Sequence, residues 1–267
     1  MEKKIYYFSG TGNSYYYAHS LAKHFNTNEI SINEESDFDL KSKSVILCFP
    51  NYFGKMPISV YEFLNKISLD NFTKFYVFVS ASSNNGNILA EVDTLLKEKS
   101  SHLAYGAYIK SPDNNVTKLW YRSKADIICK SILNRGKDLV LSYASLIENE
   151  QDMPYKKGNN KPLKYGKLTY KEFNEKLNAF GDKFMVTSEC IRCRMCELNC
   201  DKKNIDFLEG VLVWKDKCEG CLKCINSCPY DAIEFEGITR GKRRYKNPIV
   251  SIDEYGFFLE DEEENNE

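Results

Sequence analysis

The sequence has almost no net charge: 37 Lys and Arg stand against 38 Asp and Glu, leaving −1. That balance argues against a general binder of nucleic acid or of membrane surfaces. Long hydrophobic runs are missing too. No stretch approaches eighteen consecutive apolar residues, so nothing reads as a bilayer span. The opening MEKKIYYFSG lacks a signal-peptide core, because a polar turn interrupts it at once. The expectation is a cytoplasmic chain, in a compartment where thiols stay reduced. Histidine is scarce, with three residues, His19, His24 and His102, at helix and strand positions that read as structural or surface. No His, Cys or carboxylate constellation suggests a proton donor, so no catalytic residue is assigned. Disorder is not the default, since 42% of residues are hydrophobic and 13% aromatic, enough for a sizeable core.

Cysteine is what the sequence has in excess. A reduced compartment gives ten thiols little reason to exist unless most bind something, and eight of the ten lie between Cys190 and Cys228. They form two runs, CIRCRMCELNC and CEGCLKCINSCP, each spaced C-x2-C-x2-C-x3-C. Thiolates are soft ligands that favour iron–sulfur clusters, and in a doubled run of this spacing the fourth cysteine ligates the other cluster. One [4Fe–4S] cluster is then expected on Cys190, Cys193, Cys196 and Cys228, and a second on Cys218, Cys221, Cys224 and Cys200. The alternative, a zinc ribbon, uses two C-x2-C pairs and leaves four thiols without a role. Cys48 and Cys129 sit singly in apolar runs and read as small buried hydrophobes. The segment resembles a bacterial two-cluster ferredoxin, including PYDAIEF after the last cysteine and the hairpin-like NIDFLEGVLVW between the runs. It departs from that pattern at Asp201, where a proline is usual.

Ahead of the cysteines, KIYYFS (3–8), SVILCF (44–49), KFYVFVS (74–80) and HLAYGAYI (102–109) are short apolar runs bounded by turn residues, with NEISI (28–32) a weaker fifth. Continuous runs of this kind suit strands buried on both faces of a parallel sheet. Between them, Tyr15, Ala18, Leu21, Ala22 and Phe25 share one helical face, as do Val60, Phe63, Leu64 and Ile67, and Ile88, Val92, Leu95 and Leu96. The alternation predicts an α/β doubly wound domain over 1–150. A long helical pattern is expected from Thr117 to Ile147, with a kink or break at Gly136. QDMPYKKGNNKPLKYG reads as a linker. Phe173, Leu177, Phe180 and Phe184 predict one more helix ending at Phe184, so that linker and helix occupy 151–181, the cysteine domain 182–240 and an extension 241–267. Arg240 to Lys246 reads as a solvated basic patch, and EDEEE (260–264) as a frayed acidic tail.

The first strand runs straight into FSGTGNS and then the first helix. This is neither G-x-G-x-x-G, because Tyr15 holds the third position, nor a Walker A loop, because the Gly-Lys-Ser/Thr end is missing. Its glycines let the backbone approach a ligand, its helix start favours an anion, and its hydroxyls add donors without charge. A terminal phosphate held by amides and hydroxyls, with no cation in the loop, is the expectation. SGTGNS after a first strand is similar to the phosphate loop of flavodoxins, which bind FMN. The resemblance implies cofactor contacts at Ser9, Gly10, Thr11, Gly12, Asn13 and Ser14. Two further loops, PNYFGKMP and SASSNNGN, follow strand C-termini and would enclose the flavin ring through Pro50, Asn51, Tyr52, Phe53 and Gly54, and through Ser82, Asn84, Asn85 and Gly86. Tyr52 or Phe53 would lie against the ring.

With these two halves, and with GKRRYKNPIVSI behind them, the chain resembles the flavodoxin–ferredoxin fusion family of anaerobic bacteria. That resemblance implies a flavodoxin-like doubly wound parallel sheet followed by a small α+β ferredoxin domain. It implies two [4Fe–4S] clusters and FMN as cofactors, and an electron-transfer role with protein redox partners. The alternative is a flavin-dependent reductase of a small molecule, fed by the clusters.

Overall fold

The computed structural model describes residues 3–33, 39–40, 42–69, 73–83, 86–155 and 165–254. Strand β1 (Lys3–Tyr7) leads into α1 (Asn13–Phe25) and β2 (Glu29–Ser31). After a short strand β3 (Asp39–Leu40) come β4 (Ser44–Pro50), α2 (Ile58–Lys66) and a second short strand, β5 (Ser68–Leu69). Then follow β6 (Lys74–Ala81), α3 (Ile88–Lys97) and β7 (His102–Lys110). Five of these strands pair, all in parallel, in the order β2-β1-β4-β6-β7, while β3 and β5 pair with each other. Counting only the main-sheet strands, that order is 2-1-3-4-5, the flavodoxin-like doubly wound arrangement. The sequence expectation holds because the inner strands are buried on both sides. Along β4, Val45, Leu47 and Phe49 enter one core with α2 and α3, while Ile46 and Cys48 enter the other with α1. Alternation of side chains along a pleated strand makes one apolar run serve two cores.

The expected helix over 117–147 is shorter and later. Helix α4 spans Asp126–Ser142, and α5 spans Ala144–Glu148. The break falls at Tyr143, not at Gly136, which lies inside α4 because α1 comes so close. A β-carbon on Gly136 would stand 2.5 Å from the Tyr17 hydroxyl. Residues 111–125 are irregular, and Val116 and Tyr121 pack not on the sheet but in the core of the cysteine domain, with Phe184, Ile205 and Ile225.

Helix α6 (Tyr170–Asn178) starts at a Thr169–Glu172 capping box and ends before Phe180, so the expected run to Phe184 is also too long. Gly181–Lys183 forms a 3-10 turn, and Phe184 opens β8 (Phe184–Val186), which pairs antiparallel with β11 (Ile233–Phe235). Phe184 faces Phe235 and Trp214 across that small core. Between β8 and β11 lie α7 (Met195–Leu198), the hairpin β9 (Ile205–Leu208) and β10 (Val211–Trp214), and α8 (Lys223–Ser227). A final 3-10 turn spans Ile252–Glu254. The two halves are an internal repeat. Arg194 and Leu222 each follow the second cysteine of a run, and both start a short helix from a left-handed φ of 61°. Residues 156–164 of the expected linker and the acidic tail lie outside the described residues.

Candidate cofactor site

A cleft of about 250 Å³ opens at the C-terminal edge of the sheet. Its floor is the turn between β1 and α1. Gly12 takes φ 83°, a left-handed conformation suited to glycine, and α1 starts with no side-chain cap and no acidic residue in its first turn. A helix start without a capping side chain or a nearby carboxylate suits an anion. Ser9, Thr11 and Ser14 bring hydroxyls to the same wall; Ser14 bonds Ser80 at 2.7 Å, and Thr11 Oγ1 accepts from Asn114 at 2.8 Å while keeping its own hydrogen. Asn13 lines the cleft, but its side chain is committed to the protein, accepting from Tyr245 and donating to Pro112.

The second loop closes as a tight hairpin. Tyr52 and Lys55 exchange both backbone hydrogen bonds at 3.0 Å, around Phe53 (φ 56°) and Gly54 (φ 91°). Asn51 Oδ1 accepts from the Gly54 amide at 2.8 Å. Tyr52 is buried edge-on against Phe8, and the Phe53 ring meets Tyr165 and Phe180 edge-on, so each aromatic is partly spent on packing. From the third loop, Ser82 lines the cleft. Gly86 does not, yet no β-carbon fits there, because one would fall 2.0 Å from the Gly54 carbonyl oxygen. Asn84 and Asn85 lie outside the described residues.

Two parts of the wall were not visible in the sequence. Ser111–Asn115 and Lys118 come from the irregular segment after β7. Lys118 brings a cation to the wall from outside the turn, its ammonium paired with Asp113. The other part is Gly220–Leu222, from the cysteine domain itself. A β-carbon on Gly10 would lie 2.7 Å from the Cys221 carbonyl oxygen, so the phosphate-type turn and the cysteine loop touch backbone to backbone.

The cysteines line two further cavities. Cys190, Cys193, Cys196 and Cys228 surround one, and Cys200, Cys218, Cys221 and Cys224 the other. Cys221 lines both the second cavity and the cleft. Backbone amides donate to the last sulfur of each run: Asn204 to Cys200 Sγ at 3.4 Å, and Ala232 to Cys228 Sγ at 3.3 Å. Burial pushes the Cys196 and Cys218 thiols up to about 12, and those of Cys221 and Cys224 well above the usual range. Metal binding must therefore displace protons that burial favours. Among the described residues, no group of three or more His, Cys, Asp or Glu is drawn tightly enough for a single metal ion. Asp201 has a structural reason to stand where proline is usual. Its carboxylate meets Lys223 Nζ at 2.8 Å, with the two side chains 7% and 2% exposed, tying one run to the other.

The arrangement matches what is known elsewhere in part. A family profile described as a 4Fe-4S binding domain (Fer4) matches residues 211–234. The chain joins a flavodoxin-like fold to a 4Fe-4S binding domain. Solved structures similar to it include a flavodoxin from the domain Archaea, at 13% identity and a TM-score of 0.38, covering 55% of this chain and 99% of that one. Another is the two-electron reduced flavodoxin of Megasphaera elsdenii, at 13% identity and 0.34, covering 52% and 99%. An azoreductase from Bacillus anthracis gives 9% identity and 0.37, covering 55% and 100%. The strand order, not these likenesses, carries the fold. No curated protein sequence matches the chain. Among the described residues, no helix is long and apolar enough to cross a membrane.

Proposed function

We propose that this fusion is an electron-transfer protein holding FMN in the cleft and one [4Fe–4S] cluster in each cysteine cavity. The observation that carries the reading is the position of Cys221, which borders both the cleft and the second cavity. When bound, the flavin supplies one- or two-electron chemistry and the clusters one-electron chemistry. The uncapped start of α1 and the hydroxyls of Ser9, Thr11 and Ser14 fit a phosphate monoester. The hairpin at Phe53 and Gly54 and the cysteine loop at Gly220 to Leu222 form two further parts of the wall. Two sets of four thiols, with an amide donated to one sulfur of each, fit two cubane clusters. External partners are proteins that exchange low-potential electrons with this chain. Among the described residues lining the cleft, Asp113 and Lys118 are paired with each other.

Anaerobic purification with cofactor analysis tests the reading. The expected content is one FMN, eight irons and eight acid-labile sulfides per chain, following the cluster stoichiometry of the doubled run. Bound zinc without sulfide, or a chain that takes up no flavin, would overturn it.

A further inference from the structure

The basic run after β11 is largely solvated, as its composition suggests, but two of its residues turn inward. Arg244 and Tyr245 are 5% and 2% exposed. Arg244 donates to the carbonyls of Thr239 and Ile233 and to the Glu234 carboxylate, which anchors the segment to the cysteine domain. From that anchor the next residues cross to the cleft. Tyr245 donates its hydroxyl hydrogen to Asn13 Oδ1 at 2.6 Å, and Asn247 Nδ2 donates to the same oxygen at 3.1 Å. Asn13 is the first residue of α1, directly after the turn read as the phosphate loop.

The same tyrosine is tied to the cysteines. Its backbone amide donates to Asn226 Oδ1 at 3.0 Å. Asn226 is 1% exposed and lies in α8, between Cys224 and Cys228. Its Nδ2 donates to Leu222 and to the Asn114 carbonyl, and the Asn114 side chain in turn donates to Thr11 Oγ1. Two routes therefore run from α8 to the turn, one through Tyr245 to Asn13 and one through Asn114 to Thr11. A buried polar network of this kind is stable when every member is bonded and costly when one is not, so its members move together.

We infer that Tyr245 and Asn247 are positioning residues for the phosphate turn, and that this clasp couples phosphate binding to the seating of α8 and its cysteines. The inference rests on the reading of the cleft as the FMN site. Coupling between two binding sites is reciprocal, so a phosphate seated on the turn must also steady α8.

The test uses the full-length, anaerobically loaded protein and the variants Tyr245→Phe and Asn247→Ala. Tyr245→Phe removes one donor and keeps the ring. FMN affinity should fall roughly fivefold, the usual effect of losing one buried hydrogen bond, whereas riboflavin, which lacks the phosphate, should bind as before. Saturating FMN should slow the release of iron to a chelator in the parent protein, riboflavin should slow it less, and Tyr245→Phe should erase the difference. Equal losses for FMN and riboflavin would show a packing defect instead and overturn the clasp. Unchanged FMN affinity in the doubly substituted chain would do the same. Hydrogen exchange at the amides of residues 11–15 separates failure of the clasp from failure of the FMN reading. It should quicken in both variants whether or not flavin binds, and unaltered protection there would end the proposal.

Discussion

Gly10 shows how tightly single residues are specified here. An added β-carbon would meet the Tyr52 hydroxyl at 2.6 Å, the Cys221 carbonyl at 2.7 Å and Cys221 Cβ at 3.2 Å. A tyrosine hydroxyl can swing aside, but a backbone carbonyl on a loop fixed at both ends cannot. Gly10→Ala should therefore push the two loops apart, at a cost of about 1–3 kcal/mol, as overpacking usually does. The expected outcome is loss of flavin on desalting, with an altered spectrum for one cluster and not the other. Retention of FMN with an unaltered spectrum would show that the loops are not in contact. Cys200 poses a different question, because Asp201 replaces the usual proline beside it. The buried Asp201–Lys223 pair offers another way to hold that corner. Cys200→Ser should degrade the cluster assigned to Cys218, Cys221 and Cys224 more than its neighbour. Iron analysis and low-temperature paramagnetic resonance check this, and a full iron content with unchanged signals would rule out the ligand set.

Among the elements, α1 and α4 meet where Gly136 faces Tyr17. The Tyr17 hydroxyl is bonded to Ser111 at 2.9 Å, so it cannot yield without breaking a buried contact at the cleft's rim. Gly136→Ala raises helix propensity by about 1 kcal/mol, yet it should still destabilise the fold, because the steric term of about 1–3 kcal/mol opposes it. A rise in the urea midpoint would refute that. The expected break at Gly136 is absent, the glycine lying inside α4. The strands were legible because burial on two faces writes a continuous apolar run. The cysteine spacing pointed to the two groups of four that line separate cavities, because three members of each group come from one short run. Helix ends were not, since Tyr121 falls within the expected helical run and Phe184 closes the next one, yet both pack into the cysteine domain's core. Periodicity records that a residue is buried, not against what. Nor could composition show that one arginine of GKRRY turns inward onto Glu234, or that Lys118 and Cys221 reach the cleft from distant parts of the chain.

On the scale of the whole molecule, the two halves are not beads on a string. Val116, 0% exposed, and Tyr121 leave the flavodoxin-like half to complete the cysteine domain's core, while the segment around Tyr245 returns the other way. Glu219 adds a third tie, accepting from the Ser59 amide at 3.1 Å and its hydroxyl at 3.0 Å at the start of α2. Burying Val116 alone is worth about 1.5–3 kcal/mol, more than an exposed ion pair such as Lys202–Glu62 contributes. The covalent linker should thus be dispensable once the protein has folded. With a protease site engineered between residues 156 and 164, the cut chain should still elute as one species, retaining flavin and iron. A cysteine domain expressed alone from residue 182 would lack Val116 and Tyr121 and should hold its clusters poorly. The intact and the cut chain should both show flavin bands that bleach at a rate independent of protein concentration after photoreduction of the clusters, because the partners are held together by packing. A rate that rises in proportion to concentration in the intact chain would mean that the halves exchange electrons only by collision. Dissociation of the fragments on cutting would show that the tether, rather than the interlocked cores, keeps Cys221 at the cleft.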